Sequence, residues 1–325
     1  MKTFLVTGAT GYVGREITRQ LLAGGKQVTV LSRTRPDPGV AWIKADFTDR
    51  AGLDRVLEGK RYEAIIHAAS LPGDTGDPLQ MVSVNVDGLQ NMLQYAVRAK
   101  AQRFVLSSSI SAYEWYPATK FKAPDYLPVD EEHPCRPRDM YSTTKRMQEL
   151  LALTYWHQYQ LPVAVLRLTA VVGPRGQGGG RGWREFAEKL AAGKTVQIPH
   201  FSEKELCHYV DLRDVGRMHM AAAEHPKAVG EVFNCCGPGP TRGAELASIV
   251  RKLVPGIKVE CGFPWSMAQG GEISFSMEKA KRLLGFVPQF TIEDSIRSIK
   301  EWVDAGGLTE GPAGTRESFG SGVKT

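Results

Sequence analysis

Tyr141 and Lys145 stand four residues apart in Tyr141-Ser142-Thr143-Thr144-Lys145, a spacing that puts two side chains on one face of a helix. A phenol with its ordinary pKa near ~10 is a poor proton donor or acceptor at neutral pH, and a neighbouring ammonium favours the phenolate. Together the two residues suit proton transfer to or from a carbonyl or alcohol oxygen. A Tyr/Lys pair at this spacing also occurs on solvated helix faces, so it gains meaning from what precedes it. The run Arg103-Phe104-Val105-Leu106-Ser107-Ser108-Ser109 ends an apolar segment in three hydroxyls. Ser109, or its neighbour Ser108, is expected to orient a substrate oxygen beside Tyr141. Serines that merely finish a strand and satisfy backbone groups are the simpler alternative.

The elements that would position these groups begin at the N-terminus. An apolar run from Thr3 ends in glycines at 8, 11 and 14, and an amphipathic segment follows at once. That order reads as a buried strand, a tight turn and a helix start. Gly8 takes the turn's backbone angles, Gly11 lets main chain approach a pyrophosphate, and Gly14 lets the helix pack on the strand. Phosphates would then face unpaired N–H groups and the positive end of the helix dipole. Further apolar runs lie at 28–31, 64–67, 104–106 and 163–168, and helical periodicity fills 11–24, 50–58, 78–99 and 140–160. Alternating strands and helices imply a doubly wound α/β fold, with a parallel sheet covered on both faces and a ligand crevice beyond the strands' carboxyl ends.

Residues 1–168 are therefore expected to form a dinucleotide-binding Rossmann domain. The loop-like Gly173–Gly180 stretch breaks the rhythm. Residues 169–304 are expected to form a smaller mixed substrate lobe, with helices at 183–192, 214–224, 242–253, 277–284 and 292–304 and a strand at 231–235 returning to the sheet. Residues 305–325, rich in Gly, Ser and Thr, are expected to be a flexible tail.

Composition narrows the class. The 325 residues are 42% hydrophobic and carry a formal charge of +6, with the cations scattered and no aromatic platform among them. That balance suits a small anionic ligand and argues against a nucleic-acid partner. Cys135, Cys207, Cys235, Cys236 and Cys261 show no metal-binding spacing, and reduced thiols are expected. The seven histidines show no metal-ligand cadence either, so no metal is expected. The first strand begins almost at Met1 and no apolar run approaches ~20 residues, so neither a signal peptide nor a membrane span is expected, and a cytoplasmic location is.

The set Thr7-Gly8-Ala9-Thr10-Gly11-Tyr12-Val13-Gly14, His67-Ala68-Ala69, Asn85, Ser107-Ser108-Ser109, Tyr141-xxx-Lys145 and Leu166-Arg167 through Gly173-Pro174-Arg175 resembles the extended short-chain dehydrogenase/reductase family, the NAD(P)-dependent epimerase/dehydratase group. The resemblance covers about 1–300 in motif order. It implies Tyr141 as the proton-transferring acid/base, Lys145 as the group that holds the nicotinamide ribose and tunes Tyr141, and Ser109 as the catalytic hydroxyl. It implies cofactor contacts from Gly8, Thr10, Gly11, Tyr12, Val13 and Gly14, from Asp46 and Phe47, from Ala68 and Ala69, and from Asn85, Ser107, Tyr141 and Lys145. Substrate contacts are expected from Ser109, Tyr113 and Arg175. Helices 78–99 and 140–160 resemble those of the family's dimer interface, so a homodimer is expected.

The second strand ends in Ser32-Arg33 with no carboxylate. An acid there would accept bonds from a ribose 2′-OH, whereas a cation suits a 2′-phosphate, so Ser32 and Arg33 favour NADP over NAD. Sugar-nucleotide members often carry an arginine that grips the substrate diphosphate, and Cys207 falls at that place here; a thiol lacks the guanidinium's paired donors. The expected activity is NAD(P)-dependent hydride transfer between nicotinamide and a carbonyl or secondary alcohol, with a sugar-like substrate. A sugar or nucleotide-sugar epimerase with tightly bound NAD is the alternative, and a non-catalytic NADP-binding protein ranks last. The aromatic loop Tyr113, Trp115 and Tyr116, with Lys120 and Lys122, is expected near the substrate, as are Trp183, His200, Phe201, His208 and Trp265.

Overall fold

The structure, a computed structural model, describes residues 2–73, 77–113, 124–176, 180–200, 202–262 and 272–309. The first half runs β1 (Thr3–Thr7), α1 (Tyr12–Ala23), β2 (Gln27–Ser32), β3 (Ala41–Lys44), α2 (Arg50–Leu57), β4 (Ala64–His67), α3 (Pro78–Val82), a π-helical turn (Ser83–Asp87), α4 (Gly88–Arg98), β5 (Arg103–Ser109), α5 (Met140–Tyr159) and β6 (Val163–Leu168). The second half runs β7 (Ala170–Val172), α6 (Arg181–Ala191), β8 (Val196–Ile198), β9 (Leu206–Cys207), β10 (Tyr209–Asp211), α7 (Leu212–Glu224), β11 (Glu231–Cys235), β12 (Thr241–Arg242), α8 (Gly243–Leu253), β13 (Val259–Cys261), α9 (Glu278–Leu284) and α10 (Ile292–Asp304).

Seven strands form one sheet in the order β11-β6-β5-β4-β1-β2-β3, and every pairing is parallel. Strand alternation sorts the side chains. Phe4 and Val6 pack with Ile17, Leu21, Val215 and Met218 of α1 and α7 on one face. Leu5, Ile65, Phe104 and Leu106 pack with Leu53, Leu89, Met92 and Ala152 of α2, α4 and α5 on the other. Each large apolar side chain buried this way contributes roughly 1.5–3 kcal/mol, so the two covered faces, not strand propensity, hold the sheet. The strand order reverses between β1 and β4, the switch point at which such sheets open a crevice beside the strands' carboxyl ends.

The sequence assigns no strand between 32 and 64, yet β3 pairs with β2, Leu31 opposite Ile43. Four edge residues, two half-buried and two exposed, carry too little periodicity to announce themselves. The return strand β11 pairs with β6, Cys235 opposite Leu168. The C-terminal helices α6, α8 and α10 close over a further apolar cluster around Trp183, Phe186, Leu246 and Ile299. The expected flexible tail starts too early. Residues 307–309 form a 3-10 turn, because Leu308 packs on that cluster and its carbonyl accepts from Arg184 Nη2 at 3.2 Å. The rest of the tail lies outside the described residues.

Candidate active site

The glycine loop is built by close approach. Gly8 has φ +74°, and a Cβ there would sit 2.6 Å from the Ala68 carbonyl carbon. The Gly11 N–H donates to Gly8 O at 2.9 Å, and a Cβ on Gly14 would meet that same oxygen at 2.2 Å. Gly11 caps α1, so the helix's unpaired N–H groups open onto the crevice. The Tyr12 phenol donates to Gly173 O at 2.9 Å, which ties the loop to the segment after β7. What Tyr12 offers a cofactor is therefore main chain. Gly14→Ala is expected to lower stability by ~1–3 kcal/mol through overpacking and to weaken dinucleotide binding. Thermal denaturation with and without NAD checks this, and a variant matching the wild type in both would contradict it.

Strand alternation decides among the three serines. The Ser107 hydroxyl faces α7 and lies 2.7 Å from His219 Nε2. His219 Nδ1 donates to Val215 O at 2.7 Å, so Nε2 is the acceptor, and burial holds this imidazole down to about 4, neutral at pH 7. The Ser107 side chain is thus taken up by His219, and the Ser107 carbonyl accepts from Lys145 Nζ at 3.0 Å. Ser108 points to the other face and donates to Glu149 Oε1 at 2.7 Å, which removes it as the catalytic hydroxyl. Ser109 is half-buried, and its oxygen accepts from Ser111 N–H at 3.1 Å. That bond leaves the Ser109 hydroxyl hydrogen available to a ligand oxygen.

Helix α5 carries the other two groups. Asp139 caps it, accepting from Ser142 N–H at 2.8 Å and from the Ser142 hydroxyl at 2.7 Å, so the turn holding Tyr141 is fixed where it starts. Lys145 Nζ lies 5.8 Å from the centre of the Tyr141 ring. Burial pulls the Lys145 ammonium down to about 8, with Glu149 acting the other way. His67, at the end of β4, holds Thr7 Oγ1 at 2.9 Å; burial, and then the Lys145 charge, push it down to about 3. It is a neutral post under the site.

Asn85, another expected cofactor contact, is tied into the walls of the site. It is fully buried in the π-helical turn. Its Oδ1 accepts from Leu71 N–H at 2.7 Å and its Nδ2 donates to Thr144 Oγ1 at 3.0 Å. It pins the loop after β4 to α5.

At the expected adenosine end, the Ser32 hydroxyl donates to Thr34 O at 2.6 Å and accepts from Trp42 Nε1 at 3.0 Å. Asp46 Oδ1 accepts from Thr48 N–H at 3.0 Å and from its hydroxyl at 2.8 Å. The Arg33 guanidinium lies 3.6 Å from Asp46 Oδ2, on the surface. Phe47 packs edge-on to His67 at 5.4 Å. A cavity of about 260 Å³ opens beside the glycine loop, lined by Gly11, Tyr12, Arg15, Pro174, Arg175 and Leu212 among others. Arg175, expected to touch substrate, stands on this glycine-loop side of the crevice.

Tyr113, expected at the substrate pocket, is fully buried instead. Its hydroxyl accepts from Arg167 Nη1 at 2.7 Å and lies 2.9 Å from both Asp130 O and Asn234 Oδ1. The buried Arg167 guanidinium needs acceptors, and Tyr113 is one of them. Trp183 stacks edge-on to Phe186 and Tyr209 in the C-terminal core. His200 and His208 are buried and hold the carbonyls of Thr241 and Gly237, each at 3.1 Å. Cys207 is buried in β9, and burial pushes its thiol up to about 12. Its neighbour Glu205, which the sequence reading passes over, is a buried carboxylate in the same segment. Trp115, Tyr116, Lys120, Lys122, Phe201 and Trp265 lie outside the described residues. All five cysteines are unpaired thiols. Among the described residues no three His, Cys, Asp or Glu side chains converge as for a metal ion, and no helix is long and apolar enough to cross a membrane.

Comparison with known proteins places this arrangement. The profile of the NAD dependent epimerase/dehydratase family matches residues 4–236. A dTDP-glucose 4,6-dehydratase of Streptomyces niveus is 27% identical over 92% of this chain and 91% of its own length. An epimerase from Methanothermobacter thermautotrophicus superposes with a TM-score of 0.82 at 23% identity, covering 95% of each chain. The UDP-glucuronic acid 4-epimerase of Bacillus cereus, in complex with UDP-glucuronic acid and NAD, superposes with a TM-score of 0.77 at 21% identity, covering 93% of this chain and 99% of that one.

Proposed function

The chain belongs to the NAD dependent epimerase/dehydratase family, and on that premise we propose that it moves a hydride between a pyridine dinucleotide and a carbinol carbon of a sugar-like substrate. The observation that carries the reading is the meeting of Lys145 with Tyr141 at the end of β5, next to a glycine loop with no room for side chains. Gly8, Gly11 and Gly14 cradle the pyrophosphate, and Lys145 holds the nicotinamide ribose. A bound nicotinamide supplies the hydride-exchanging carbon. Tyr141 Oη would take the proton from the substrate hydroxyl as the substrate's carbinol carbon gives its hydride to the nicotinamide, and would return that proton when the hydride comes back. Ser109 Oγ–H donates to the same oxygen and fixes its distance from Tyr141.

The substrate leaves either oxidised or with its hydride restored on the opposite face. Net oxidation or reduction linked to NADP is favoured by Arg33 beyond β2 and by the segment 205–214, where Glu205 and Cys207 offer no paired donors to a diphosphate before Arg213, itself held by Asp211. Epimerisation with retained NAD is favoured by the relatives. A sugar and nucleotide-sugar panel, followed by reduced-nicotinamide absorbance and by chromatography of the sugar products for epimers, together with mass spectrometry of the cofactor carried by purified protein, separates the two. Accumulating NADPH or exchangeable NADP supports the first; retained NAD with no net reduction supports the second. No turnover on either arm overturns the proposed chemistry.

Arg33→Ala is expected to weaken NADP by ~1–3 kcal/mol relative to NAD, because one charge-assisted phosphate contact is lost. Calorimetric titration of both nucleotides checks this, and equal losses would remove Arg33 from cofactor choice. The protein is also proposed to act in the cytoplasm as a homodimer. Leu79 is 78% exposed on α3, and Leu150 (51%) and Met147 stand exposed on α5. Leu150→Glu is then expected to yield monomers in sedimentation equilibrium; a wild type already monomeric would refute the dimer.

A further inference from the structure

The geometry points to Glu149 as a positioning residue that keeps Lys145 charged and sets its height against the end of β5. This deepens the reading of Lys145 as the partner of Tyr141. Tyr141, Lys145 and Glu149 follow at four-residue steps on α5, one stripe facing the carboxyl end of β5. Consecutive β5 residues receive the last two. The Ser107 carbonyl accepts from Lys145 Nζ at 3.0 Å, and the Ser108 hydroxyl donates to Glu149 Oε1 at 2.7 Å. The Glu149 side chain has no exposed surface, and its carboxylate is held on every side. Arg167 grips it through Nε and Nη2, both at 2.9 Å, and Arg146 Nη1 reaches Oε2 at 2.9 Å.

The groups facing Lys145 are few. From α5 come the Tyr141 ring and Glu149, from β5 the Ser107 carbonyl, and from β4 the neutral His67. Among the described residues, Glu149 is the anion that acts on a lysine that burial draws toward neutrality. Arg167 and Arg146 are both bonded to that carboxylate. Without the anion, Lys145 would give up its proton at a lower pH, and a neutral amine neither favours the Tyr141 phenolate nor donates three bonds.

The test is titration of the Lys145 side chain by carbon NMR in protein labelled at lysine Cε, with the signal assigned by its loss in Lys145→Arg. It needs no substrate or cofactor, so its outcome is independent of whether the proposed hydride transfer is right. In the wild type the midpoint is expected near 8. In Glu149→Gln it is expected to fall by about one pH unit, a smaller fall following in Glu149→Gln/Arg167→Met, which also removes the unpaired guanidinium and so protects folding. Glu149→Asp is expected to restore part of the shift. In the catalytic assay the alkaline limb should move with the NMR midpoint, about a five-fold loss at pH 8 and little at pH 6. An unchanged Lys145 midpoint in either folded glutamine variant, or an activity loss uniform across pH, would overturn the proposal.

Discussion

Tyr141→Phe is expected to lower kcat by ~10²–10⁴-fold, the usual contribution of a positioned proton-transfer group, while dinucleotide affinity stays nearly unchanged. The substitution keeps the ring and removes only the oxygen. The parts that would hold the cofactor do not depend on that oxygen. The glycine loop closes through its own main chain, and Lys145 is fixed by the Ser107 carbonyl. Steady-state kinetics and calorimetric titration of the variant check both halves. Turnover within ten-fold of the wild type would remove Tyr141 from proton transfer. Loss of nucleotide binding together with turnover would make it a scaffold residue instead.

Arg167→Ala is expected to destabilise the protein by ~3–5 kcal/mol, the cost of leaving a buried charge without its partner. Burial alone would raise the Glu149 carboxyl; the Arg167 charge and the bonds from Arg167, Ser108 and Arg146 outweigh it and hold the group below its ordinary value. Arg167 also donates to the Tyr113 hydroxyl, which joins the segment after β5 to Asn234 of the return strand. A carboxyl lowered by folding contributes stability that is present above its unfolded pKa and is lost as pH falls through the folded value. The deficit of Arg167→Ala should therefore be largest near neutral pH and shrink under acid, where Glu149 can be buried uncharged. Urea unfolding at pH 7 and pH 4 measures it. A deficit under 1 kcal/mol at pH 7, or one that grows under acid, would contradict the account.

The parts of this molecule that sequence reveals are those where one residue type is irreplaceable. Gly8 and Gly14 are legible because no Cβ fits between the turn and its neighbours. The Tyr141–Lys145 pair is legible because helical spacing alone brings the groups together. The choice between Ser108 and Ser109 needed the strand's phase, which became visible only once Glu149 was seen facing Ser108. Tyr113 is hard to place from sequence for a different reason. An aromatic just beyond a strand looks the same whether it lines a pocket or fills a core, and the group that draws it inward, Arg167, lies on a neighbouring strand far away in sequence. Asn85 stands out in the sequence by its motif, but its partners Leu71 and Thr144 are legible only in the fold. The short strands β3, β7 to β10, β12 and β13 stayed hidden because so few residues carry no usable period.

The most direct test is a single turnover in which protein loaded with NAD, or with NADP, is mixed rapidly with a substrate identified from the panel and reduced nicotinamide is followed by its absorbance. The account predicts a transient or lasting rise in the wild type with one of the two nucleotides, and its disappearance in Tyr141→Phe with the nucleotide still bound. Turnover of that substrate with no reduced nicotinamide at any time, or the same rise in Tyr141→Phe, would contradict it.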